Sequence, residues 1–434
     1  MSSLWRHRDF MRLWSAETVS QLGSQVTLLA LPLTAILLLR ASAFQIGLLG
    51  TIEFLPFILI GLPAGVWVDR LRRRPILIIG DLGRAVALAS IPIAYKLDVL
   101  TLGQLYVVAF TTGVLTVFFD VAYQSYLPSL VDREHLVEGN GKLEISRSGA
   151  QIAGPGMAGG LISLVKAPVA IALDAVSFAL SAVFVLLIRR SEPLPATHHS
   201  LDADRPKMRA DIAEGLRYVL RHPYLRWIAA CTATANLFGN MTQVVLIVFA
   251  VRKLGMSPGL IGVVFSVAST SALLGAFLSN RLPKLIGVGP TIVASAFVAS
   301  LAALAVPLAT KSTAVPLLIT FGLVGSFANV IYNVTQVSLR QAITPERLQG
   351  RMNATMRFMV WGTIPIGSLV GGALGDAIGL RATLWIGAIG GLTAVLPVLL
   401  SRVRTLRSVP NVEPEVPIVG PEVDTRSASV TTDR

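Results

Sequence analysis

Val99–Phe119, VLTLGQLYVVAFTTGVLTVFF, runs its whole length without a charged residue. A helix needs about 20 predominantly apolar residues to cross roughly 30 Å of hydrocarbon, and this run supplies them. Ile286 to Thr310 is a second uncharged run of the same kind. Working outward from these two, charges and turn residues divide the apolar material into twelve spans. They lie near 13–39, 44–68, 75–95, 102–127, 147–165, 168–188, 224–250, 258–279, 288–309, 313–338, 357–374 and 381–401. The bulk composition agrees. Of 434 residues, 53% are hydrophobic and only 14% charged, against about 25% charged in an ordinary soluble domain. The mean hydropathy is +0.68.

A net charge of +13 would suit a nucleic-acid binder, but the basic residues sit in short clusters between apolar runs. That distribution excludes nucleic acid as a partner and points to a lipid bilayer. About 29 of the 37 Lys and Arg fall on the side of the N-terminus and about 7 on the other. Cytoplasmic loops carry the excess of Lys and Arg, so both termini are expected in the cytoplasm of a multi-pass plasma-membrane protein. The N-terminal apolar stretch is longer than a signal-peptide core and reads as a retained first span.

The longest connection runs from Arg189 to about His222. Ser191 to Pro206 reads as a flexible linker. Ile212, Leu216, Val219 and Leu220 then share one helical face, which predicts an amphipathic helix on the cytoplasmic membrane surface. From Ser408 onward the composition predicts a disordered tail. The expected layout is a six-helix bundle over 1–190, a linker over 191–222, a second bundle over 223–402 and a tail over 403–434.

The two halves repeat. Arg6-His7 recurs as Arg221-His222, and Gln21, Gln25 and Thr27 recur as Asn236, Asn240 and Thr242, at an offset of about 215. Gln124, Leu127, Glu134 and Gly159-Gly160 correspond to Gln336, Leu339, Glu346 and Gly371-Gly372 at about 212. Same-direction repeats joined by a long loop are a plan of secondary transporters. The fold class expected is an all-α membrane protein with twelve transmembrane helices, two parallel six-helix repeats around a central cavity.

Gly65-Val66-Trp67-Val68-Asp69-Arg70-Leu71-Arg72-Arg73-Arg74 resembles the loop signature of the major facilitator superfamily between its second and third helices. The resemblance implies close helix packing at Gly65, a gating interaction at Asp69, and Arg70 and Arg73 as partners of that gate. Arg72 stands where the signature has its second glycine. Phe119-Asp120-Val121-Ala122-Tyr123-Gln124, Leu173 to Phe178, Glu214 to Val219 and Val337 to Gln341 are similar to the enterobactin exporter and macrolide efflux branch, drug:proton antiporters. The resemblance reaches to about Arg402 and implies export of a drug-like, macrolide or siderophore-like small molecule, driven by protons.

Acids inside spans are the chief chemical signal, because charge in hydrocarbon is costly and marks function. Glu17, Glu53 and Asp120 are the proton-coupling candidates, with Arg84 as the modulating charge; a static pair of Asp81 with Arg84 at i, i+3 is the alternative. Polar residues at helical spacing, Gln21, Gln25, Asn236, Asn240, Asn333 and Gln336, should face the cavity or bond between helices. Tyr123 and Gln124 are further cavity candidates, with Phe118, Phe119 and Trp361 as possible aromatic wall.

Gly154-Pro155-Gly156-Met157-Ala158-Gly159-Gly160 matches a dinucleotide fingerprint only as a string, since no strand precedes it. Gly156 and Gly160 instead make a small-xxx-small packing face, with Gly154 and Pro155 in the same motif. It also resembles the superfamily's antiporter signature, with one residue too many. Gly255-Met256-Ser257-Pro258-Gly259 matches a nucleophile elbow but lies between two spans, and no Walker loop occurs. The chain is therefore not expected to be an enzyme or to need a cofactor or metal. The expected partners are a small-molecule substrate, protons and lipid, with the monomer as functional unit. An importer, a facilitated carrier or a receptor on the same scaffold are the alternative functions.

Overall fold

The computed structural model describes residues 4–190, 192 and 208–408, and every regular element among them is helical. First come α1 (Arg8–Leu37), α2 (Ala43–Leu59), α3 (Gly61–Arg70), α4 (Arg73–Lys96), α5 (Leu102–Leu130), α6 (Leu136–Val165) and α7 (Ala167–Leu186). A connecting helix, α8 (Met208–Arg221), precedes α9 (Leu225–Arg252), α10 (Pro258–Leu278), α11 (Leu282–Ile286), α12 (Val288–Ala302) and α13 (Ala305–Leu308). The chain continues with α14 (Ala314–Ala342), α15 (Glu346–Trp361), α16 (Thr363–Ala377), α17 (Leu380–Thr393) and α18 (Leu396–Leu399).

Among the described residues, ten helical stretches are long and apolar enough to cross a membrane. The expected spans 44–68 and 147–165 are the two outside that set, each for a physical reason. Pro63 has no N–H to give to the Leu59 carbonyl, and the first of these spans breaks at Ile60 into α2 and α3. The second is the end of α6, which starts at Leu136 and carries no charge past Arg147, but Gln151, Pro155 and the glycines Gly149, Gly154, Gly156, Gly159 and Gly160 keep it too weakly apolar. Outward-facing side chains such as Val86, Val107, Leu164 and Leu285 are more than half exposed. An apolar girdle of that extent marks a surface meant for lipid.

Inside, α1 packs on α6 and α7, α4 on α5 and α7, and α2 on α5. Past residue 225, α9 packs on α16 and α17, while α10 and α12 pack on α14. Two further contacts, α6 with α10 and α2 with α16, join the two sets of helices.

Charges tie the helix ends near the termini. Asp9 pairs with Arg12 at 2.7 Å and accepts from the backbone N–H groups of Arg189 (3.2 Å) and Arg190 (2.9 Å). Glu192, expected in a flexible linker, instead caps α4: its carboxylate accepts from Arg73 N at 2.8 Å and Arg74 N at 3.1 Å. Carboxylates favour helix N-termini, where backbone N–H groups lack partners. The amphipathic helix is also more than a surface float. Glu214 on α8 pairs with Arg347 and Arg351 of α15 (3.4 and 2.5 Å), and Val219 is fully buried while Leu216 and Leu220 stay exposed. Residues 193–207 and 409–434 lie outside the described residues, and the start of the expected disordered tail is instead ordered: Arg402–Thr405 form a 3-10 turn with Val403 fully buried.

Candidate functional site

The two sets of helices meet most closely at the end opposite the termini. A Cβ at Gly159 would sit 2.5 Å from the Pro258 carbonyl oxygen and 2.8 Å from Gly262 Cα. A Cβ at Gly372 would sit 2.6 Å from the Ala43 carbonyl oxygen and 3.0 Å from Gly47 Cα. Only glycine permits backbones this close. Next to the second contact, Asp376 on α16 accepts from Ala43 N (2.9 Å) and Phe44 N (3.1 Å), the first residues of α2. Arg252 at the end of α9 donates to the Ala41 carbonyl at 2.5 Å. This end is shut by two glycine contacts and two polar ties.

Below the seal, α1, α2, α9 and α16 enclose a central cavity of about 180 Å³. Its polar lining is Gln25, Glu53, Asn240, Gln243 and Ser368, set among Leu49, Phe54, Val244 and Phe265. Glu53 has no hydrogen-bond or ion-pair partner among the described residues. Gln25 and Asn240, expected in the cavity, therefore come together with Glu53, expected as a proton-coupling acid, and with Gln243 and Ser368, which were not foreseen. Gln243 sits i+3 from Asn240, a spacing that could have flagged it.

A second cavity of about 270 Å³ lies toward the termini, between α2, α5 and α15. Asp120 and Gln124 line it, as expected, together with Asn353, Arg357 and Trp361. Aromatic rings run from the lining of one cavity to the lining of the other. Phe54 lies 6.0 Å from Phe57, and Phe57 meets Trp361 edge-on at 5.7 Å. Arg357 stacks its guanidinium 4.2 Å above Trp361, a cation–π contact. Arg357 was missed because it opens the expected span 357–374 after the polar stretch Gly350 to Met356, where a basic residue reads as a helix end rather than as a cavity wall.

Other expected site residues lie elsewhere. Glu17 is buried and accepts from Gln21 Nε2 at 2.7 Å, its second oxygen having no partner. Neither residue lines either of these two cavities. Tyr123 stacks on Phe119 at 6.1 Å and its hydroxyl is buried without a partner. Asn236 donates to the Val360 carbonyl (3.2 Å), a tie between helices. Gln336 donates to Asn333 (3.0 Å) and accepts from Arg340 (3.1 Å), a ladder along α14. The packing face of α6 is Gly156 and Gly159, not Gly156 and Gly160: a Cβ at Gly160 would meet open space, while Gly156 N–H donates to Ser266 at 2.7 Å. Gly154 rests on the Gln25 side chain and Pro155 lines the central cavity. A Cβ at Gly65 also meets nothing within 4 Å among the described residues. Arg73 pairs with Glu192 at 3.5 Å, on its own set of helices rather than across to the other. The side chains of Asp69 and Arg70 lie outside the described residues. Ser257, in the elbow-like match, is the N-cap of α10.

Arg84 is engaged in a buried pair in this structure. It pairs with Asp81 at 2.6 Å, stacks on Phe119 (4.2 Å) and Phe178 (4.1 Å), and Asp81 accepts from Ser181 at 2.7 Å. Removing one partner of a buried pair typically costs about 3–5 kcal/mol. Arg84→Ala is therefore expected to lower the thermal unfolding temperature in detergent sharply. A melting curve that matches the wild type would show the pair to be dispensable.

The family model for transmembrane secretion effectors matches residues 2–432. The chain belongs to that family, within the major facilitator superfamily. It is 28% identical to the multidrug efflux pump Tap of Mycolicibacterium fortuitum over 400 residues, 88% of this chain and 93% of Tap. It is 25% identical to macrolide efflux protein A of Streptococcus pyogenes over 48% of this chain, spanning 50% of that protein's length. The match to an MFS-type transporter of Bacillus subtilis spans 64% of that protein. Among solved structures, a bacterial homologue of the iron transporter ferroportin in an inward-facing state superposes with a TM-score of 0.72 at 15% identity, covering 92% of this chain and 99% of that one. The chain is a membrane transporter, not an enzyme.

Proposed function

We propose that the chain is a proton-coupled exporter of small organic molecules that works by alternating access, held in this structure in its inward-facing state. The observation that carries the proposal is Glu53, an acid without a cation partner on the wall of a largely apolar cavity between the two sets of helices. A carboxylate there can be neutralised by a proton or matched by a cationic cargo, and exchange of the two would couple export to the proton gradient. Asp120 beside Arg357 would hand protons to the cytoplasm, and Glu17 is the third candidate. The apolar wall suits amphipathic, drug-like cargo.

The twelve-span plan fits once α2 with α3, and α6, are added to the ten long stretches. Backbone details support a parallel repeat. Arg40 and Gly255, and likewise Lys166 and Gly379, share left-handed φ values. Ser42 and Ser257 both cap the next helix. All three pairs are separated by about 213 to 215 residues, the spacing of the sequence repeat. The termini and Arg-rich turns then face the cytoplasm, the sealed end faces outward, and the monomer is the working unit of a plasma-membrane protein.

The test is accumulation of a panel of amphipathic drugs and siderophores by cells with and without the gene. Lower accumulation that an uncoupler abolishes supports the proposal; equal accumulation across the panel removes export. The outer ties make a separate prediction. Hydrogen bonds to a charged group contribute about 1.5–3 kcal/mol each, so Asp376→Ala should shift the population toward the outward-open state by about ten-fold or more. Labelling of a cysteine at Gln243 by an impermeant maleimide from outside would report it. Unchanged labelling would mean that Asp376 is not part of the outer lock.

A further inference from the structure

His7, Arg8, Asp9, Arg12 and Arg189 line a pocket of about 310 Å³ between the start of α1 and the end of α7, at the end bearing the termini. Its acid is fully engaged. One oxygen of Asp9 takes Arg12 and the Arg189 backbone N–H, and the other takes the Arg190 N–H. His7 Nδ1 accepts from Phe10 N at 3.0 Å and so caps α1. Arg8 and Arg189 remain: both are exposed, and neither guanidinium has a hydrogen-bond or ion-pair partner among the described residues. Two unpaired guanidiniums beside an already neutralised acid form an anion site, and phosphate suits guanidinium geometry best.

The adjoining surface says which phosphate. Leu173, Val176, Leu180, Val183 and Leu187 are each about half exposed and fall on one face of α7 and its end at helical spacing. That apolar stripe runs along the length of the helix and stops two residues before Arg189. A free phosphate would use the arginines and leave the stripe uncovered. A phospholipid uses both, its headgroup in the pocket and its acyl chain along α7. We propose that this pocket binds the headgroup of an anionic phospholipid of the cytoplasmic leaflet, consistent with the attraction of basic pockets near a membrane surface for acidic lipids.

The purified full-length chain in neutral detergent micelles, with bound lipid counted by native mass spectrometry, tests this directly. Phosphatidylglycerol should be retained over phosphatidylcholine of the same acyl chains. Each arginine near an anionic surface contributes about five-fold in affinity, so Arg8→Gln with Arg189→Gln should weaken phosphatidylglycerol binding by about 25-fold. Arg404→Gln, an exposed arginine at the same end but outside the pocket, should leave it unchanged. If the double variant aggregates, Arg8→Gln alone should give the five-fold loss. Wild-type retention in the folded variants would overturn the site. Glycerol 3-phosphate binding as tightly as the lipid would overturn the lipid in favour of a free phosphate. Binding in micelles depends neither on transport nor on which face is cytoplasmic, so failure here leaves the proposed function standing.

Discussion

Glu53→Gln should lower proton-driven efflux at least about ten-fold while leaving the protein folded and in the membrane. An ionised side chain at the centre of a span costs about 2.5–3.5 kcal/mol on an insertion scale, so its removal does not threaten the fold. Glu53 also has no partner to orphan: no hydrogen bond or ion pair reaches it from any described residue. Glutamine keeps the shape and polarity of a protonated glutamate but cannot release a proton, so the exchange of proton for cargo stops. Counterflow of an uncharged substrate without a gradient should persist, because such a cargo needs no carboxylate and the cavity keeps Gln25, Asn240 and Gln243. Efflux of a lipophilic cationic dye from energised cells reads the first quantity, and counterflow in vesicles the second. Full efflux in Glu53→Gln would remove Glu53 from coupling and leave Asp120 and Glu17 to be tested as Asp120→Asn and Glu17→Gln.

Gly159→Leu should stop transport by a different route. The first side-chain atom already collides with the Pro258 carbonyl oxygen and Gly262 Cα across the seal. Forcing extra volume into a packed contact costs about 1–3 kcal/mol where neighbours can relax; here the neighbours are backbone, and the helices must part. The variant should be trapped outward-open, with efflux lost and a cysteine at Gln243 labelled from outside several times faster than in the wild-type background. The native Cys231 is fully buried and should not contribute. Gly160→Leu, one residue on, meets open space and should transport normally. Equal activity in both variants would show that the α6–α10 contact does not gate the outer face.

The helical membrane fold was legible because its signal is a run of residues: Val99 to Phe119 needs no partner to be read. Spans that bend or begin in polar turns were harder. The break between α2 and α3 before Pro63 reads in sequence as one continuous span, and nothing local announces that α6 starts at Leu136, because Glu138, Lys142, Glu144 and Arg147 look like loop. The site was legible only in part. Spacing placed Gln25 and Asn240 on faces that do meet, and Glu53 stood out as an acid inside a span. The same logic also nominated Asn333 and Gln336, which bond along their own helix, because periodicity gives a face and not its neighbour. Choosing Gly159 over Gly160 requires knowing where α10 lies. Arg357, Asp376 and Glu192 act through chain segments far away in sequence, two of them on backbone N–H groups that no motif displays.

Proton coupling through the central cavity is tested most directly in proteoliposomes holding the purified chain, a fluorescent lipophilic cation and an imposed pH gradient. Cation movement should follow the gradient, reverse when the gradient is reversed, and vanish with a protonophore or with Glu53→Gln. Movement at the same rate and in the same direction whether or not the gradient is present would contradict the coupling.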